Sequence, residues 1–199
     1  MRRTASLLLV ALVVLAGCAQ PRVPEDTFYR LTIAAPKKID APLIPGILEV
    51  SRFVADGLVS QRAIVYSDAN RANVAQAYHY DYWIEPPTTL LQNALVDYLR
   101  ASGAAGTVVT PELRAEPDVI ASGHIRNFEH VRGGSGGGSV KVVLDLSLRE
   151  RKIDKLLLVK SYEASRPVTD AQLPTVAREM SVAVEDIFGR LLHDLSATR

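Results

Sequence analysis

Between Val142 and Leu148, apolar residues fall on every second position. Val142, Leu144, Leu146 and Leu148 alternate with Val143, Asp145 and Ser147, and Arg149 follows. A period of two puts one set on one face, which predicts a half-buried strand with a wet back. Similar patterning predicts strands in TFYRLTI (27–33), GILEVSRFV (46–54), AIVYSD (63–68) and VAQAYHYDYW (74–83). Further on it predicts strands in TVVT (107–110), PDVIASGHIRNFEHV (117–131), SVKVVLDLSLRE (139–150) and KLLLVKSYEASRPV (155–168). The turn sequence SDANR makes 63–68 and 74–83 a hairpin.

Two stretches change to the helical period. After Glu85-Pro86-Pro87, Leu91, Leu95 and Leu99 recur with Ala94 and Tyr98 beside them, and Gly103 marks a stop. From about Leu173 to Leu195, Val176, Met180, Val184, Ile187, Leu191 and Leu195 form one stripe. The order strands, helix, strands, helix predicts an α+β fold. In it, two amphipathic helices pack on one face of a mostly antiparallel sheet.

One apolar segment fits neither pattern. Arg2 and Arg3 precede a charge-free run from Ala5 to Gly17. As a helix it spans about 20 Å, short of the roughly 20 residues that cross a bilayer, and it reads as a secretory signal peptide over residues 1–17. Removing it takes two arginines from 23 basic residues against 22 acidic ones, so a formal charge of +1 becomes −1. That balance gives no electrostatic case for nucleic acid. Residues 18–26, with Pro21 and Pro24, read as a short tether whose last eight residues reach at most about 28 Å. Residues 27–199 form one domain.

Little in that domain points to catalysis. RGGSGGGSV (132–140) holds five glycines in nine residues, but no Lys-Ser or Lys-Thr follows, and a strand rather than a helix comes next. It reads as a strand-to-strand loop. His79, His124, His130 and His193 show no metal-ligand spacing. His124 and His130, six apart on one strand, share a face about 20 Å apart. No G-x-S-x-G occurs. The expectation is a protein without catalytic residues, metal or cofactor. The densest feature is YHYDYW (78–83), with four of the chain's eight Tyr and Trp residues. In a regular strand Tyr78, Tyr80 and Tyr82 share one face, and His79, Asp81 and Trp83 the other. Tyr82 and Trp83 are the candidate partner-binding residues; a core role for either is the alternative.

Leu15-Ala16-Gly17-Cys18 resembles the lipobox of bacterial lipoproteins. The resemblance implies cleavage before Cys18, a diacylglycerol on its sulfur and acylation of the new amine. With Ala19 rather than Asp next, it also implies sorting to the outer membrane. More than one acyl chain makes a stable anchor.

The lipobox, FYRL (28–31), IVYSD (64–68), the joint YHYDYWIEPPTTLLQNALVDYL (78–99) and the closing helix together resemble the auxiliary lipoproteins of ABC-type transporters, the paraquat-inducible protein C type. The resemblance implies a role without a reaction. Such proteins partner an MCE-domain protein, with its permease and ATPase, in lipid traffic that maintains the outer membrane. Homo-oligomers are left open. The alternative is a lipoprotein that itself binds lipid or glycolipid as an assembly chaperone, with a ligand-sized pocket between sheet and helices.

Overall fold

Pro87 opens a 16-residue helix and Gly103 closes it with φ 69°, the left-handed conformation that glycine adopts without a side-chain clash. The computed structural model describes residues 24–133 and 136–197. In chain order they form β1 (Thr27–Tyr29), β2 (Ile44–Val50), β3 (Val54–Ala55), β4 (Ala63–Asp68), β5 (Arg71–Trp83) and α1 (Pro87–Ser102). Then come β6 (Ala105–Val109), β7 (Val119–Arg132), β8 (Gly138–Glu150), β9 (Lys155–Val168) and α2 (Leu173–Ala197).

β7 is the spine of the sheet. One edge pairs with β8, which pairs with β9, both antiparallel. Its other edge takes β2, β3 and β4 in succession, all parallel. Outside β2 lies β6, parallel; outside β4 lies β5, antiparallel, and then β1, parallel to β5. The fold is α+β as predicted, but the sheet is mixed rather than mostly antiparallel. A period-two pattern marks a strand and its faces and carries no sign of direction. β5, α1 and β6 separate β2, β3 and β4 from β7, a connection long enough to allow parallel pairing.

The apolar face of β8 (Val140, Val142, Leu144, Leu146, Leu148) is buried, as is the stripe of α2 at Val176, Met180, Val184, Ile187 and Leu191. α1 adds Leu91, Leu95 and Leu99, and the Tyr98 and Phe188 rings join the two helices at 5.6 Å between centroids. Each such aliphatic side chain contributes about 1.5–3 kcal/mol by leaving water. Buried Gln92 is satisfied, its Nε2 donating to the Val50 carbonyl at 2.9 Å.

Within β7 the register slips between Ile125 and Asn127, leaving Arg126 as an extra residue. Such a bulge shifts the side-chain phase by one. Before it the buried positions are odd (119, 121, 123, 125); after it they are even (128, 130). His124 and His130 therefore do not share a face. His130 is buried, whereas His124 Nε2 lies 3.1 Å from exposed Asp56.

From β1 to β2 the chain runs as a strap over the helices. The Thr32 N–H donates to Ser181 Oγ (3.1 Å), that of Ala34 to Glu185 Oε2 (3.2 Å) and that of Ile39 to the Ser102 carbonyl (2.9 Å). Leu31, Ile33, Ile39 and Leu43 pack against the core from this strap.

Candidate functional site

The aromatic block falls on β5, the strand that separates β4 from β1. Along it, a step of two residues on β4, Ala63 to Val65, is matched by a step of five on β5, Tyr82 to Ala77. Tyr80 sits inside this irregularity with φ 67°. For a non-glycine residue that conformation costs roughly 1–2 kcal/mol, so the surrounding pairing must hold it. The irregularity also reverses the phase of the strand. Tyr78, Tyr80 and Tyr82 consequently do not share one face.

Tyr78 turns toward β7. Its hydroxyl lies 2.8 Å from His130 Nδ1, and its ring packs on Tyr66 at 4.5 Å. The Arg132 guanidinium covers the other ring, 4.0 Å from the Tyr66 centroid. Burial, and next the nearby Arg132 charge, lower the pKa of His130, against a smaller opposing effect of the Gly137 backbone. A neutral imidazole is what such a place tolerates.

Tyr82 turns outward. Its ring stacks on Phe28 of β1 at 5.8 Å, and Phe28 is 50% exposed. The Arg62 guanidinium sits over the Phe28 ring at 5.1 Å. Asp26, Gln61 and Ala63 complete a shallow hollow of about 260 Å³ with these three side chains. The result is an aromatic ledge under a cation, the composition that recurs at protein interfaces.

Trp83 takes a different place from its neighbour. It is 1% exposed, and its ring packs on Phe128 at 5.1 Å. Its backbone serves the ledge: the carbonyl accepts from Arg62 Nε at 3.2 Å, and its N–H donates to the Arg62 carbonyl at 2.7 Å. Next to it, the Tyr29 hydroxyl donates to Asp81 at 3.1 Å. Burial, with that acceptor, pushes its pKa up to about 12.

Cys18 lies outside the described residues. Of the two residues singled out on β5, the structure brings Tyr82 to the ledge and sets the Trp83 side chain in the core. Phe28 and Arg62 escaped the sequence reading. Phe28 was read as part of a predicted strand and of the family-like FYRL, with no role at a site, and Arg62 has no pattern of its own. Among the described residues no three His, Cys, Asp or Glu side chains are grouped to hold a metal ion. No helix among them is long and apolar enough to cross a membrane.

Comparison with solved structures supports the fold. The Xanthomonas campestris protein XCC0632 superposes with a TM-score of 0.75 at 19% identity, covering 86% of this chain and 96% of its own. A further uncharacterized protein superposes at 0.66 and 12% identity, covering 86% and 99%. CT253 from Chlamydia trachomatis gives 0.50 at 9%, covering 77% and 99%. Among curated proteins, nothing matches the chain. The sequence model of the ABC-type transport auxiliary lipoprotein component matches residues 29–190. That span runs from Tyr29, the last residue of β1, through most of the closing helix, and the chain belongs to this family of auxiliary lipoproteins.

Proposed function

We propose that this protein is a non-catalytic docking subunit of an ABC-type lipid transporter, anchored in the outer membrane and facing the periplasm. In this reading Cys18 carries the acyl chains and residues 18–26 hold the domain near the membrane. The ledge of Phe28, Tyr82 and Arg62 receives an MCE-domain protein. The observation that carries the reading is the half-exposed Phe28, stacked on Tyr82 beneath Arg62. Phe28 is ten residues from Cys18, at most about 35 Å of extended chain, so the ledge stays close to the anchor. Aromatic and arginine side chains fixed in this way form the small set that dominates interface energies.

Affinity purification of the tagged, lipidated protein from the cell envelope tests the reading. An MCE-domain protein should co-purify, and replacement of Phe28 and Tyr82 by alanine should reduce its recovery. A second reading, a lipid-binding assembly chaperone, draws on a hollow of about 500 Å³ lined by Leu43, Ile44, Pro45, Val119 and Leu157 among others. Lipid found by mass spectrometry on the purified protein would favour it. The space between sheet and helices is filled by side chains such as Leu91, Leu144, Val184 and Ile187, all 0% exposed.

A further inference from the structure

Beyond β1 the strap has one occupied edge and one bare edge. The Tyr29 carbonyl accepts the Ile84 N–H at 2.8 Å, the last bond toward β5. Backbone groups of alternate residues in an extended chain point to opposite sides, so Leu31, Ile33 and Ala35 continue the edge of Tyr29. Thr32 and Ala34 take the other edge, and their N–H groups bond Ser181 and Glu185 of α2. The spacing fits: two extended residues advance about 6.8 Å and four helical residues about 6 Å.

The edge of Ile33 and Ala35 has no such support. β5 ends at Trp83 and gives way to α1, and the side of a helix has no backbone groups to spare. Among the described residues, the N–H and C=O of Ile33 and Ala35 have no hydrogen-bond partner. The edge opens instead on a slot of about 360 Å³, whose other wall is Ala94, Asp97, Tyr98 and Ala101 of α1. Among the described residues Asp97 is the one charged residue lining it, and no cation pairs with it. Pro36, which has no N–H, bounds the slot at its far end.

We propose that this slot binds an extended segment of a partner protein. The segment adds one strand to the strap, sets small apolar side chains against Ala94 and Ala101, and places a lysine or arginine beside Asp97. Strand addition of this kind takes its affinity from main-chain hydrogen bonds and its specificity from alternate side chains. An acyl chain would bury the amides of Ile33 and Ala35 unpaired, which is unfavourable. The slot is walled by the strap and α1, whereas the ledge is built on β1, β5 and the start of β4, and the two share no lining residue. The slot requires no MCE-domain partner.

The test is a displayed library of random linear nine-residue peptides, panned against the full lipidated protein in detergent micelles. Enriched peptides should carry a lysine or arginine between alternating small apolar residues. They should bind at least tenfold more weakly to Asp97→Lys and to Ala101→Trp. Both positions are exposed, so both variants should keep the wild-type circular dichroism and melting temperature. N-methylation of alternate amides in the best peptide should weaken binding, while N-methylation of the intervening amides should not. Absence of enrichment, a consensus without a basic residue, or unchanged binding to both variants overturns the proposal. Direct binding of palmitate that is lost in Ala101→Trp, with no peptide bound, overturns it in favour of an acyl ligand.

Discussion

Replacing Trp83 by alanine removes a 1% exposed indole from between β5 and Phe128, whereas replacing Tyr82 removes a ring that stacks on half-exposed Phe28. The two substitutions are adjacent in sequence and separate packing from docking. A buried Trp or Phe cut to alanine costs about 3–5 kcal/mol, through lost burial and the cavity left behind. Loss of the Tyr82 stack is worth about 0.5–1.5 kcal/mol. For a chain of 150–250 residues each kcal/mol moves the melting temperature by about 2–4 °C. Trp83→Ala should therefore lower it by about 6–20 °C and Tyr82→Ala by a few degrees at most. Thermal unfolding followed by circular dichroism gives both shifts, and urea unfolding gives the free energies, with equal m-values required for the comparison. Trp83 is the one tryptophan in the chain, so wild-type fluorescence reports its burial directly. If Tyr82→Ala destabilises as much as Trp83→Ala, or if Trp83 emission is already that of a solvated indole in the folded protein, the division between the two residues is wrong.

Other outcomes follow from single contacts. Folded His130 binds its proton less tightly than the free side chain, whose pKa is 6.5. Just below pH 6.5 the unfolded chain thus holds more protons, so stability is full above that pH and falls as pH drops through it. His130→Asn should flatten this slope in urea midpoints measured between pH 7.5 and 5.5, and an unchanged slope would remove His130 as its source. A Cβ on Gly123 would lie 2.5 Å from the Phe53 ring, and Phe53 is 2% exposed. Gly123→Ala should cost about 1–3 kcal/mol by overpacking, and clearly less in a Phe53→Ala background. Equal costs in both backgrounds would point to another cause. Cys18→Ser should abolish metabolic labelling with palmitate and yield an uncleaved precursor or a released domain; a membrane-bound mature form would contradict the anchor.

Much of the fold was legible because amphipathic periods are local. The stripe of α2 and the alternation of β8 each lie within one segment, and the stop at Gly103 needs only its own backbone conformation. What the sequence did not disclose depends on pairing across distance. Parallel and antiparallel neighbours impose the same period of two, so the direction of β2, β3 and β4 against β7 was hidden. The bulge at Arg126 and the irregular stretch around Tyr80 add residues without any glycine or proline to announce them, and each reverses the phase of the strand beyond it. That reversal parts His124 from His130 and Tyr78 from Tyr82. The ledge was half legible for the same reason: Tyr82 belongs to a dense aromatic block, while Phe28 and Arg62 join it only through the β1–β5 and β4–β5 pairings.

The central claim is that the ledge docks an MCE-domain protein. Its most direct measurement is quantitative mass spectrometry of material affinity-purified from the envelope with the tagged, lipidated chain. Wild type should be compared with the Phe28→Ala, Tyr82→Ala double variant at matched expression and matched thermal stability. The account predicts that an MCE-domain protein is enriched with wild type and falls at least tenfold with the double variant. An MCE-domain protein absent from the wild-type sample, or recovered equally with both, would contradict it.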